Sequence, residues 1–172
     1  SDSLHCTPEY YLAQNGQYLG DTGQDIIYHK NHLYVSVYGS SYVAKMDLEG
    51  KELARYSFSA EEGQPRYLTA DGDYIYVTLY SGKVAKMKAS DLSVVDYAPV
   101  GMNPEDIVLH KGQLLVANSG WGADNRVTVI DVATFDSIAS ITVEWNPQQF
   151  VVDGDSVYLL ANGQYDENWN CD

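Results

Sequence analysis

Set about forty residues apart, Gln24, Arg66, Glu105 and Gln148 form one column of polar side chains; Asp25, Tyr67, Asp106 and Gln149 form the next. Amide, guanidinium, carboxylate and phenol groups hold polar ligands through paired, directional hydrogen bonds. Each column sits at the start of a short apolar run, where burial favours apolar residues. They read as a polar, partly acidic ligand mouth, or as side chains that satisfy backbone groups and water at a channel rim. A second cluster lies in two glycine-bearing loops, residues 118–125 and 162–169, each opening with Asn after Ala and carrying Trp, Asp and Asn. Here Asn118, Trp121, Asn162 and Trp169, with Tyr38 and Tyr80 in shorter loops, suit a sugar ring or other flat polar ligand through stacking and amide hydrogen bonds. The alternative is that the Trp side chains cover gaps between packed sheets.

Other chemistries are less well served. There is no G-x-S-x-G, no Ser/His/Asp spacing and no phosphate-cradling glycine loop. The pairs Glu61–Glu62 and Glu105–Asp106 suggest acid/base work, although Glu61–Glu62 reads better as part of a solvated loop between sheets. Asp166, Glu167, Asn168 and Asp172 are oxygen donors that calcium could use, without the D-x-D-x-D-G spacing. No cofactor is expected, and calcium is the one candidate ion. The two cysteines, Cys6 and Cys171, stand at opposite ends with no C-x-x-C, which argues against structural zinc. His29, His32 and His110 fall in turns on the side away from the polar columns.

The elements that position these residues repeat. Val43-Ala44-Lys45-Met46 recurs as Val84-Ala85-Lys86-Met87, and again as Val127-Thr128-Val129-Ile130. Apolar runs begin near Leu33, Ile75, Leu114 and Val157, and Pro65, Pro104 and Pro147 precede three of them. Three markers in one register exclude chance alternation. Each unit reads as four short strands, a to d; in the second they are Tyr67–Thr69, Tyr74–Leu79, Lys83–Lys88 and Val94–Tyr97, with Asp71-Gly72 as the hairpin turn between a and b. No segment holds a helical period over three turns. Four strands per unit of about 40–45 residues is the spacing of a β-propeller blade.

The expected fold is therefore all-β: one propeller domain over residues 1–172 of four-stranded antiparallel blades, with repeats near 23–62, 63–100, 101–143 and 144–172. The last unit stops after two strands. Apolar residues on both sides of Asn15-Gly16 read as a hairpin over residues 9–20 that supplies the missing pair and closes a ring of four. A Cys6–Cys171 bridge fits that closure. The competing reading is an arc of a larger ring, whose open edges need a partner.

The chain has 172 residues, with 10 Lys+Arg against 24 Asp+Glu and a net charge of -14. That sign excludes nucleic acid and anionic membrane surfaces as natural partners. No stretch is long and apolar enough to span a bilayer. The first residues lack a basic and apolar leader, so membrane attachment would depend on a removed or missing N-terminal segment. The 15 Tyr against 3 Phe suit strands that bury rings and keep hydroxyls wet.

The pattern of proline, strand, Asp-Gly, Tyr-Val and then Val-x-x-Ile/Met-Asp resembles the YncE-like and NHL-like propellers, most clearly over residues 101–143. The segment Leu19 to Ile26, LGDTGQDI, looks like the start of a blade in surface-layer-type propeller lipoproteins of gut anaerobes. The resemblance implies an exported protein of the periplasm or cell surface of a Gram-negative bacterium. It also implies a ring larger than four blades and capture of a corrinoid-like small molecule in some relatives. Lactonase-type propellers, by contrast, need a Glu/Asn/Asp metal set, for which Glu105, Asp106 and Asn118 are the candidates. The leading expectation is a non-catalytic module that binds a small molecule, glycan or protein on its loop face. A metal-dependent hydrolase and a half-ring that assembles with a partner are the alternatives.

Overall fold

A computed structural model describes residues 6–165. The first blade contains β1 (Gly23–His29), β2 (His32–Val37), β3 (Tyr42–Met46) and β4 (Glu52–Ser57). The second contains β5 (Pro65–Asp71), β6 (Tyr74–Leu79), β7 (Lys83–Lys88) and β8 (Val94–Pro99). The third contains β9 (Pro104–His110), β10 (Gln113–Asn118), β11 (Arg126–Asp131) and β12 (Ser137–Thr142), and a fourth sheet pairs β13 (Pro147–Asp153) with β14 (Ser156–Ala161). Each complete sheet is an antiparallel meander in chain order. The innermost strands stack in succession, β1 on β5, β5 on β9 and β9 on β13. The chain is thus an all-β array of propeller blades, as its repeat predicts.

Period-two alternation explains how the blades adhere. Successive side chains of a strand point to opposite faces, and in an inner blade both faces meet a neighbour. On the second blade, Ile75, Val77, Leu79, Ala85 and Met87 pack toward the first blade with Tyr34 and Val43. The interleaved Tyr76 and Val84 pack toward the third blade with Leu114, Val116 and Ile130. Each fully buried side chain of this size contributes about 1.5–3 kcal/mol.

Tyrosine does not always keep its hydroxyl wet. Tyr34 and Tyr76 occupy equivalent positions and are both fully buried. The Tyr34 hydroxyl donates to the Ala89 carbonyl at 2.8 Å. The Tyr76 hydroxyl has no partner, and burial pushes its pKa up to about 12. An unmade buried hydrogen bond costs about 1–3 kcal/mol, whereas a made one contributes about 1. Tyr76→Phe is therefore expected to raise the urea midpoint and Tyr34→Phe to lower it. Shifts of the same sign would contradict this assignment.

The N-terminal segment departs from expectation. Residues 9–20 form no hairpin; Tyr10–Asn15 is a short helix, α1. Asn15-Gly16 acts as a helix end instead of a turn between strands: Gly16 takes φ +67° and its N–H bonds the Leu12 carbonyl. Asn15 donates to the Gly50 carbonyl at 2.9 Å and accepts from the Glu52 N–H at 2.8 Å. Tyr11 donates to the Glu52 carboxylate, and Tyr11 and Leu19 pack on Val35, Tyr42 and Met46. The segment thus covers the outer face of the first blade and supplies no strands to the fourth sheet. Cys6 is exposed, and its expected partner Cys171 lies outside the described residues.

Candidate functional site

The polar columns owe their placement to a repeated backbone irregularity. In every blade the pairing of the innermost strand with the next slips by one residue at the same place. The slips lie between Gly23 and Asp25, Pro65 and Leu68, Val116 and Asn118, and Pro147 and Gln149. A β-bulge leaves a residue off the ladder and re-aims its side chain. The residues in these bulges are Gln24, Arg66–Tyr67, Glu105–Asp106 and Gln148. Asn103 and Asn146, at φ +41° and +61°, bring the chain into the third and fourth blades just upstream.

The first column converges. The Arg66 guanidinium reaches both neighbouring blades, donating to Gln24 and, through Nε and Nη2, to Glu105 Oε2 at 3.0 and 2.7 Å. The other Glu105 oxygen accepts from Tyr80. The Glu105 side chain is 4% exposed and that of Arg66 16%. The Arg66 cation also lies 4.7 Å from the centroid of the Tyr80 ring and 5.1 Å from that of Tyr38. Burial, reinforced by the bond to Glu105, pushes the Tyr80 hydroxyl above the ordinary phenol range, so it remains a neutral donor.

Above this pair stands an aromatic ladder. Tyr38 and Tyr80 meet edge to face at 5.4 Å, and Tyr80 and Trp121 at 6.0 Å. The Trp121 Nε1 donates to the Tyr80 hydroxyl at 3.3 Å. A 3-10 turn, Gly120–Gly122, carries Trp121 with its backbone at φ +53°. Trp121 is 71% exposed, so nothing in the interior explains an indole in this strained conformation. The ladder borders a cavity of about 620 Å³, with Phe58, Gln64 and Asn103 on its other walls. This volume suits one small-molecule ligand.

The remaining candidates serve the scaffold. Asp25 and Asp106 each tie their inner strand to the next: Asp25 accepts from the Leu68 N–H at 2.8 Å, and Asp106 from the Phe150 N–H at 2.7 Å. Burial raises the Asp106 pKa against the pull of those amide bonds. Tyr67 holds the equivalent position in the second blade, where the Arg66–Glu105 pair makes the connection instead. Asn118 is buried and spans Gly101 N–H, Arg126 carbonyl and Thr128 hydroxyl. Gln148 donates to Asn146, and Gln149 and Asn162 are exposed. Trp169 and the acidic run from Asp166 to Asp172 lie outside the described residues. Among the described residues no three His, Cys, Asp or Glu side chains form a metal-binding group. Glu105, Asp106 and Asn118, the set a hydrolase would use, are each engaged with other partners.

The structure corrects the reading of Glu62. Instead of lying free in a solvated loop, its carboxylate gathers the Tyr56 and Tyr97 hydroxyls from two blades and the Ser59 N–H. Burial opposes the charge, but these donors outweigh it and hold the pKa at about 2. A carboxylate lowered in the folded state stabilises the fold above its unfolded pKa of about 4.3 and loses that effect as pH falls toward 2. Glu62→Gln is expected to flatten the acid limb of a stability-against-pH curve between about pH 5 and 2. An acid limb identical to that of the parent protein would refute this role.

The sequence matches no protein-family model and no curated protein. Solved structures do resemble the fold. A chain of Kuenenia stuttgartiensis hydrazine synthase aligns with a TM-score of 0.64 at 23% identity, over 70% of this chain and 35% of its own. The dihydro-heme d1 dehydrogenase NirN aligns at 0.65 and 12% identity, over 83% of this chain and 34% of its own. The computationally designed Ika4 protein aligns at 0.66 and 10% identity, over 86% of this chain and 96% of its own. The chain spans about a third of the hydrazine synthase and NirN chains, both of propeller type. At these identities the likeness concerns the fold alone.

Proposed function

We propose that this chain is a non-catalytic propeller module that binds a flat-faced polar ligand, a glycan before a corrinoid-like molecule or a protein loop, at the Tyr38–Tyr80–Trp121 ladder. The observation that carries the reading is the exposed, strained Trp121 over a cavity whose Tyr38 and Tyr80 walls rest on a neutralised Arg66–Glu105 pair. With its charges paired, the site offers stacking faces and hydroxyl or amide hydrogen bonds, which match a sugar ring. An exported setting at the periplasm or cell surface of a Gram-negative bacterium accompanies this reading, on the strength of the surface-layer resemblance. The test is a titration of intrinsic tryptophan fluorescence against a panel of neutral oligosaccharides and a corrinoid. Saturable quenching by a saccharide supports the reading; quenching by the corrinoid alone redirects the ligand class; no response to either overturns it.

A second reading, an arc that assembles with another copy, draws support from the two end blades. Ile26 and Tyr28 are exposed on one end, and Val151, Tyr158 and Leu160 on the other, faces that in the inner blades are buried. Sedimentation over a range of concentrations tests it, with association expected to weaken in Tyr158→Lys. A monomer at every concentration would exclude it.

A further inference from the structure

We infer that a second cavity, on the face opposite the aromatic ladder, binds a small phosphorylated anion. It lies between the first and second blades, has a volume of about 480 Å³, and is lined by Lys30, His32, Lys45, Asp73, Lys88 and Ser90 among others. The chain has only 10 basic side chains against 24 acidic ones. Three of those ten line this one cavity, and Asp73 is the sole carboxylate on its wall. Asp73 is engaged with Lys30 at 2.7 Å in an exposed pair.

Lys45 is the buried cation of this cavity. It is 9% exposed. Among the described residues its ammonium has a single acceptor, the Ser90 carbonyl at 3.1 Å, and no carboxylate within ion-pair distance. An ammonium carries three donors, and a buried charge without a partner is costly. The repeat supplies an internal control. Lys86, its equivalent one blade on, lies 4.4 Å from the Tyr74 ring centroid and 5.3 Å from that of Phe135. In the first gap those two aromatic positions hold His32 and Leu92, so Lys45 lacks the ring faces that cover Lys86.

Lys88 strengthens the comparison. The equivalent residues of the first and third blades are Asp47 and Asp131, which accept backbone N–H groups in their own turns. Only the turn facing Lys45 carries a lysine at that position. The result is two ammonium groups that form no ion pair among the described residues, Lys45 and Lys88, the second with the exposed Asp91 of its own turn as an electrostatic neighbour, beside the ring of His32. A phosphate group offers several acceptors to such donors. The cavity has room for a small organic body behind the phosphate. Because the whole chain repels anions, capture must come from these short-range contacts.

The test is the thermal midpoint of the protein with inorganic phosphate and, separately, with a hexose monophosphate, each against chloride at matched ionic strength. A ligand that binds only the folded state raises that midpoint with concentration. The expected result is a saturable rise, larger for the hexose monophosphate. Lys88→Asp restores the residue type of the sister turns and is expected to fold normally and weaken binding at least tenfold. Lys45→Met is expected to remove the rise while leaving the ligand-free midpoint equal or higher. Phosphate also stabilises proteins non-specifically, so a rise that persists unchanged in both variants, or no rise beyond chloride, overturns the proposal. A rise with inorganic phosphate alone would restrict the site to the free ion.

Discussion

Glu105→Ala is expected to lower the stability of the fold by about 3–5 kcal/mol, the range for removing one member of a buried ion pair. The reason is the charge left behind. The Arg66 side chain stays 16% exposed between three blades, and the two hydrogen bonds that Glu105 Oε2 accepts from it vanish. Tyr80 loses its acceptor as well. Against a typical total of about 5–15 kcal/mol, such a loss removes a large share of the margin. The measurement is a urea midpoint at neutral pH with the slope checked for constancy. A second variant separates charge from shape: replacing both members, Arg66→Met with Glu105→Leu, removes the orphaned charge and is expected to recover much of the loss. A loss below about 1 kcal/mol in Glu105→Ala would show that water reaches Arg66 and solvates it.

Trp121→Ala should separate binding from folding. The side chain is 71% exposed, so stability is expected to change by no more than about 0.5 kcal/mol. Stacking residues at the centre of a site carry about 2 kcal/mol or more, so saccharide affinity is expected to fall roughly thirtyfold. Trp121→Gly removes the Cβ as well. At φ +53° a residue without a Cβ is relieved of strain worth about 1 kcal/mol, so this variant is expected to be slightly more stable and equally unable to bind. Isothermal titration calorimetry reads both variants without relying on the lost fluorophore. Unchanged affinity in both would remove the ladder from the site.

The repeat, the blade and the limits of the two central strands of the second blade were legible in the sequence because they are local, whereas its inner and outer strands run longer than expected, Pro65–Asp71 and Val94–Pro99. Alternation sets which residues face a neighbouring sheet. The VAKM repeats and the proline turns, in one register, set the period. In the second blade the expected Tyr74–Leu79 and Lys83–Lys88 strands are β6 and β7. The polar columns were legible as positions, and the Trp121 loop as a candidate for stacking. Their roles were not. Which of Arg66, Glu105, Asp25 and Asp106 pairs beneath the aromatic ladder and which ties down a neighbouring strand depends on the bulge in each blade and on the angle between blades.

Asn15-Gly16 shows the same limit from the other direction. The dipeptide permits a hairpin turn or a helix end with equal ease, because glycine at positive φ serves both. The contacts of Asn15 with Gly50 and Glu52 and of Tyr11 with Glu52, some 35–41 residues away in sequence, select the helix. The amino-acid order therefore determined the repeating unit and the inventory of groups at each rim. Only the tertiary structure decided which of those groups meet, because partners are chosen across blades, where sequence distance carries no information about approach.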